Sequence, residues 1–414
     1  MKRLMFAAAC ALAAACAPSA RAGDVRTTPH KRYQLWPEGK MPQVATNLDN
    51  QAWIEVYLPT NRPHDACMII APGGCYVWWC WGGEGSTMLE HCCRNDMPAV
   101  QLKYRCPRPK GNTFYLNAWQ DAQRAVRFVR AHAKEWGISP DNIGFNGYSA
   151  GGHLTLMAAL SSTSNSYARV DEIDDLPCNV NWAIPVYPAY VLSDTQNDWG
   201  GGSEKGNPLT LEIRPEFLFD KGTPPMCLFH GDADDISPMG SVRVYHKLRL
   251  MGIPGELHTF ANRGHVFFSD ASAGESCVAF RDTAFGWLNS MGFTLERPRV
   301  MATEKWQENL RKGVRGFALK IGKDTKVKDL VWYFKLRPEI RLEFELESPE
   351  LEAEVRKVLK QCKVNAKDVV FVTAGTASPV ANTVEEYRAL KAKGVAAVRA
   401  ADPVALRAAI GAGK

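Results

Sequence analysis

The chain lacks what would send it to a membrane, a metal or a nucleic acid. The alanine-rich apolar run that ends at Ala17 falls short of the roughly 20 residues a membrane-spanning helix needs. No H-E-x-x-H occurs, and no C-x-x-C has a matching partner pair, so neither a structural nor a catalytic metal is expected, and no cofactor. The acidic run Asp171-Glu172-Ile173-Asp174-Asp175 is read as a solvated loop rather than a calcium site. Charge is nearly balanced, with 50 Lys and Arg against 44 Asp and Glu, a formal +6. Such a balance gives no basis for nucleic-acid binding.

The start of the chain is patterned for export. Met1-Lys2-Arg3, the apolar run and Ala20-Arg21-Ala22 form the charged, apolar and small-residue regions of a secretory signal over residues 1–22. A secreted or periplasmic location is therefore expected, with lipid anchoring at Cys16 the weaker alternative. Cleavage would remove three basic residues and no acids, taking +6 to +3. Ten of the 12 cysteines follow residue 22, and disulfides are permitted outside the cell. Cys75, Cys80, Cys92, Cys93 and Cys106 are expected near an active-site entrance, where pairing could brace a loop. Cys67 and Cys227 stand in apolar strands and are expected as buried free thiols.

What is present is concentrated in one stretch. Ile143-Gly144-Phe145-Asn146-Gly147-Tyr148 is a short apolar segment, Ser149-Ala150-Gly151-Gly152-His153 follows, and Leu154 to Leu160 continues at helical spacing. Strand, G-x-S-x-G turn and helix is the order of a nucleophile elbow, whose sharp turn lifts the Ser149 hydroxyl above a sheet. A serine hydroxyl needs a base, and the base needs an orienting acid. Pro224 to Gly231 reads as a buried strand opening into Asp232-Ala233-Asp234-Asp235. Asp234 is the preferred acid, ahead of Asp235 and then Asp232. Gly255 to Phe260 alternates as a strand, and the loop after it carries Asn262-Arg263-Gly264-His265. His265 is the expected base; His258, His230 and His153 are read as structural. Upstream, the strand-like Ala66 to Ala71 ends in Pro72-Gly73-Gly74-Cys75-Tyr76. Oxyanion donors are expected from Gly74 or Cys75 and from the amide of Ala150.

These motifs, with the helix Asp121-Ala122-Gln123-Arg124-Ala125-Val126-Arg127-Phe128-Val129-Arg130 between them, resemble the α/β-hydrolases of the acetylxylan-esterase and feruloyl-esterase-like group. The resemblance covers roughly residues 50 to 292. It implies a serine esterase that removes acetyl or feruloyl groups from plant-type polysaccharide through a Ser149-His265-Asp234 acyl-enzyme mechanism. Two departures stand out. Cys75 takes the place of a third oxyanion-loop glycine, and Arg263 that of a glycine before the base.

The rest of the chain fits a doubly wound, mostly parallel α/β sheet. Trp53–Leu58, Ala66–Ala71, Ala99–Tyr104 and Trp182–Tyr187 read as strands, Asn117–Trp136 as a helix with its charges opposite its apolar face, and Gly240–Met251 as another helix. Pro188–Phe219 has no clear period and sits where this fold places a lid. Residues 23–292 are taken as the catalytic domain. Residues 293–414 are taken as a smaller C-terminal α/β extension, with strands at Arg341–Leu346, Asp368–Thr373 and Val395–Val398 and helices at Pro349–Cys362, Thr383–Lys393 and Pro403–Ile410. This extension weakly resembles the later part of a glycerophosphodiester-phosphodiesterase barrel but shows no paired catalytic histidines.

Tyr76, Trp78, Trp79 and Trp81 follow the oxyanion glycines, and Trp199 lies in the expected lid. They are read as an aromatic platform for an acylated polysaccharide or oligosaccharide. A prolyl-oligopeptidase-like peptidase shares the order of the triad but carries a propeller, for which the segment before Trp53 is too short. A non-catalytic carbohydrate-binding protein that keeps the fold is the other alternative. Oligomeric state is not legible.

Overall fold

The structure is a computed structural model that describes residues 31–42, 51–59, 64–108, 114–193, 211–268, 279–294, 299–303, 308–309, 314, 316–328, 340–362, 369–372, 377–393 and 395–412. They fall into two compact units, Met1–Ala284 and Phe285–Lys414.

The first unit is built on eight strands: β1 (Lys31–Gln34), β2 (Trp53–Tyr57), β3 (Cys67–Ala71), β4 (Ala99–Lys103), β5 (Ile143–Tyr148), β6 (Trp182–Val186), β7 (Met226–Gly231) and β8 (Gly255–Phe260). Their order in the sheet is β1-β2-β4-β3-β5-β6-β7-β8. From β4 to β8 every pairing is parallel, whereas β1 with β2 and β2 with β4 are antiparallel. The expected strand-helix alternation therefore holds in the centre, and an antiparallel edge closes one side. β3, β5, β6 and β7 are buried along their whole length, as parallel strands covered on both faces must be. This explains why they read as continuous apolar runs rather than alternating ones.

The long segment read as one helix is two, Leu116–Ala131 and Ala133–Trp136, closed by Gly137 in the left-handed region at φ 66°. Its charged face does not meet solvent. Arg124 is 1% exposed, and its guanidinium donates bidentately to Asp171, at 2.6 Å on each oxygen, and to Asp174 at 2.8 Å. Arg127 donates to Tyr167 and to the Leu176 carbonyl. Arg105 donates to the fully buried Asp121, which also accepts from Trp36. The acidic run is solvated only in part: Glu172 and Asp175 are exposed, whereas Asp171 and Asp174 are held by Arg124. Asp171 caps the short helical turn Glu172–Asp175, and the Arg124 guanidinium holds the Asp171 carboxyl below its usual range. Two guanidinium bonds and a shared carboxylate make this a strong charge-assisted clamp. It ties the helix before the elbow to the loop after it.

The cysteines meet expectation in part, Cys67 and Cys227 being the buried free thiols expected of apolar strands. Cys92 lies on the helix Ser86–Arg94 with its sulfur 3.6 Å from that of Met68, beneath the sheet rather than at an entrance. Cys67, Cys92, Cys106 and Cys227 are buried free thiols, and burial pushes the Cys67 and Cys227 thiols up. Cys75 and Cys93 are likewise buried.

The second unit carries five parallel strands: β9 (Arg299–Ala302), β10 (Gly316–Ile321), β11 (Arg341–Leu346), β12 (Val369–Val372) and β13 (Ala397–Ala400), in the order β12-β11-β10-β9-β13. β9 and β10 were not legible as strands. Helices Leu351–Gln361, Val384–Ala392 and Pro403–Ala412 occupy the expected places. The second of them starts with a Thr383–Glu386 capping box. Phe317, Leu319, Leu342, Phe344, Val355 and Leu359 form the centre of its core. Among the described residues no helix is long and apolar enough to cross a membrane.

Candidate active site

β5 ends at Tyr148 and the helix Ala150–Leu160 begins one residue later. Between them Ser149 is held at φ 53°, ψ −116°, a conformation that L residues rarely adopt. The flanking glycines are sterically required. A Cβ on Gly147 would stand 2.2 Å from the Gly151 carbonyl oxygen, and one on Gly151 would stand 2.2 Å from that of Ala71. The Ser149 carbonyl accepts from the amides of His153 at 2.9 Å and Ala189 at 3.1 Å, which fixes the peptide that carries the Ala150 N–H.

The loops after β7 and β8 meet above this turn. The Ala233 amide donates to the Arg263 carbonyl at 2.9 Å, and this approach depends on Gly231, whose Cβ would stand 2.3 Å from the same oxygen. Arg263 therefore contributes its backbone to the pinning of the base loop. On this support His265 Nε2 lies 3.0 Å from Ser149 Oγ, and Nδ1 lies 2.8 Å from Asp234 Oδ2. Asp235 and Asp232 are exposed, whereas Asp234 is buried and also accepts from the Ile236 amide at 2.9 Å. Burial raises the Asp234 carboxyl, but the charge and hydrogen bonds of His265 and His230 outweigh it and hold the group well below its usual range. An ionised acid behind Nδ1–H leaves Nε2 as an acceptor facing the serine hydroxyl, the arrangement required for nucleophile activation.

His230 is fully buried behind the acid. Its Nε2 donates to the Ile236 carbonyl at 2.9 Å, and its Nδ1 shares a 2.8 Å hydrogen bond with Ser241 Oγ. Its Nε2 also stands 3.3 Å from Asp234 Oδ2, which completes the acid's surroundings.

The Pro72–Tyr76 loop lies over the nucleophile. A Cβ on Gly73 would be 2.9 Å from Ser149 Cβ. The Gly73 carbonyl accepts from the Cys80 amide at 3.0 Å, and the Gly74 carbonyl accepts from Val77 at 2.9 Å and Trp78 at 3.1 Å. Because a trans peptide points N–H and C=O in opposite directions, these bonds fix the directions of the Gly74 and Cys75 amides. Gly74 at φ 123° and Cys75 and Tyr76 at φ 56° and 58° turn the loop inward.

That inward turn corrects the aromatic platform. Tyr76 is 1% exposed; its hydroxyl shares a 2.9 Å hydrogen bond with His153 Nδ1, and its ring packs on Tyr104, Phe114 and Tyr190. Trp79 packs against the core and donates its indole N–H to the Tyr104 carbonyl at 2.9 Å. Tyr76 is internal packing, whereas Trp79 is half-buried with Lys103 Nζ over its ring at 4.7 Å. Trp78 is half-buried, and half-buried Trp81 sets its ring edge against Trp53 at 5.2 Å. Trp199 lies outside the described residues.

Two site residues had no reading in the sequence. Glu84, 2% exposed, accepts from the Gly73 amide at 2.6 Å and from the Tyr187 hydroxyl at 3.0 Å. Tyr187, at φ 34°, sets its ring edge-on to His265 with 4.6 Å between centroids. The available signal was a lone acid inside a glycine and tryptophan run. As for ion ligands, among the described residues Cys227, Glu256 and His258 place ligand atoms within 4.8 Å of one another. Burial raises that thiol well above its ordinary range, which disfavours the thiolate a metal would need.

A strained serine between a parallel strand and a helix, with its histidine and acid on the following strand-end loops, defines the α/β-hydrolase fold. Residues 54–248, a little under half of the chain, match the BD-FAE family model, and this domain is an α/β-hydrolase of the esterase type. Similar proteins include endo-1,4-beta-xylanase B of Butyrivibrio fibrisolvens, 25% identical over 231 residues that cover 53% of this chain and 36% of that protein. Acetylxylan esterase of Xylanibacter ruminicola is 24% identical over 229 residues, 53% of this chain and 44% of that one. The chain thus spans less than half the length of these curated relatives. Among solved structures, the acetyl ester-xyloside bifunctional hydrolase of Caldicellulosiruptor lactoaceticus matches with TM-score 0.55 at 23% identity, over 64% of this chain and 98% of that one.

Proposed function

We propose that the first unit is a serine esterase that removes acetyl or feruloyl groups from xylan-type polysaccharide. The observation that carries this is the unbroken hydrogen-bonded chain from Ser149 Oγ through His265 to Asp234. Ser149 attacks the ester carbonyl while His265 Nε2 takes the hydroxyl proton. The tetrahedral intermediate collapses to an acyl-enzyme as the protonated imidazole gives that proton to the departing sugar oxygen. Water, deprotonated by the same nitrogen, then releases the acid. The intermediate's negative oxygen is assigned to the amides of Ala150 and of Gly74 or Cys75, whose directions are fixed as described.

The choice of sugar is supported by the xylan-related names of the similar proteins, and not by the aromatic platform as a whole, since Tyr76 is interior and the Trp79 indole N–H is taken by the Tyr104 carbonyl. Trp78 and Trp81 stay as candidate sugar contacts. The charged, apolar and small-residue pattern of residues 1–22 supports export. A panel of p-nitrophenyl acetate, acetylated xylan, methyl ferulate and a prolyl amide, run on wild type and Ser149→Ala, tests the reading. Release of acetate from xylan by wild type alone is expected. Turnover of the prolyl amide but none of the esters would place the protein among the peptidases, and no turnover of any would leave the non-catalytic alternative.

A further inference from the structure

The proposed triad leaves one buried carboxylate beside it without a role. Glu84 lies on the wide helical turn Trp81–Gly85, which runs directly into the helix Ser86–Arg94. Such turns recur at functional sites. One carboxylate oxygen takes the Gly73 amide, next to the loop assigned to the oxyanion, and the other takes the hydroxyl of Tyr187, whose ring flanks His265. These three partners come from the ends of β3, β6 and the loop after β8, which the elbow must hold in register. An isolated carboxylate is costly to bury, and here the group sits where both halves of the site can be tied to it.

Resting on the esterase reading, we propose that Glu84 is a positioning residue: through the Gly73 amide it sets the oxyanion loop, and through Tyr187 it sets the wall against which His265 turns. Its negative charge also stabilises the imidazolium that forms when His265 takes the serine proton. Among the described residues, Tyr187, Tyr148, Tyr104 and His265 are titratable groups that interact with it. Burial raises the Glu84 carboxyl above its usual range, and His265, the Gly73 amide and the Tyr187 hydroxyl offset that rise only in part.

The test compares wild type, Glu84→Ala, Glu84→Gln and Ser149→Ala on p-nitrophenyl acetate across pH, with melting temperature measured on each. Glu84→Ala is expected to lower kcat on the order of 10²-fold with KM nearly unchanged, the pattern of lost transition-state positioning. Glu84→Gln keeps an acceptor for the Gly73 amide and is expected to recover most of that loss. Because it removes the charge that favours imidazolium, the acid limb of its kcat/KM profile should move to lower pH. Wild-type kcat in a folded Glu84→Ala protein, or an acid limb in Glu84→Gln that does not move, overturns the proposal. The Glu84→Gln profile decides alone if the alanine variant does not fold. Absence of Ser149-dependent hydrolysis in wild type would instead overturn the esterase reading on which the proposal stands.

Discussion

In residues 285–414 the buried charge is mutually satisfied. Arg399 donates to Glu343 and Glu345, each at 2.6 Å, and Ser378 adds its hydroxyl to Glu343. Among the described residues of that unit no non-glycine residue has positive φ. Among the described residues of 1–284 nine do, and six of them, Cys75, Tyr76, Ser149, Tyr187, Tyr190 and Val266, stand in the oxyanion loop, the elbow, the segment after β6 or the base loop. Backbone strain of this kind costs on the order of 1–3 kcal/mol per residue and persists where the surroundings over-determine it. The surroundings here are the Arg124–Asp171–Asp174 clamp and the fully buried central strands. Two parallel-sheet units with similar elements thus differ in what their polar groups are held for: in one they close on each other, in the other they converge on a hydroxyl.

The comparison breaks most sharply on the triad. Ser149→Ala and His265→Ala are expected to lose on the order of 10⁴-fold or more in kcat on a small ester, and Asp234→Asn nearly as much through the wrong imidazole tautomer. Asp235→Asn should change little, because its side chain is exposed. A folded Asp235→Asn protein that is the more impaired of the two would move the acid. Next, Arg399→Ala strands a buried Glu343 carboxylate and should destabilise the second unit by about 3 kcal/mol, read by chemical denaturation, while ester turnover stays at the wild-type level. A smaller effect is expected from pH. Asp234 is held below its unfolded pKa of about 3.9, so it stabilises the fold above that value and the contribution fades as pH falls through the folded pKa. The stability gap between wild type and Asp234→Asn should therefore narrow below about pH 4 in thermal melts. The smallest expected effect is that of removing the second unit. A chain ending near Gly292 should keep its turnover of p-nitrophenyl acetate, and loss of that turnover in a soluble, cooperatively melting protein would erase the distinction between the units.

The fold was legible where burial on both faces leaves a continuous apolar run, as in β3, β5, β6 and β7. It was not legible in β9, which has only four residues, nor in β10, where Gly316 and Lys320 interrupt the apolar run. In the site, the G-x-S-x-G turn, the aspartates after β7 and His265 after β8 could be read because each follows a strand end, and the structure brings Ser149, His265 and Asp234 within hydrogen-bonding reach. Other features depended on partners far along the chain. The charged face of Leu116–Ala131 reads as solvated until Asp171 and Asp174, 47 and 50 residues beyond Arg124, cover it. Glu84 finds Tyr187 across 103 residues. Tyr76 reads as exposed from its glycine-rich neighbours, yet three successive positive φ angles, at Gly74, Cys75 and Tyr76, fold it inward.

The account rests on Ser149 as the atom that takes the acyl group. Rapid mixing of wild type with p-nitrophenyl acetate, followed by acid quench and peptide mass spectrometry, should give an acetyl group on the peptide containing Ser149. The adduct should be absent from Ser149→Ala and fail to accumulate in His265→Ala. Hydrolysis that persists in Ser149→Ala, or an acetyl group found on another residue with Ser149 unmodified, would contradict it.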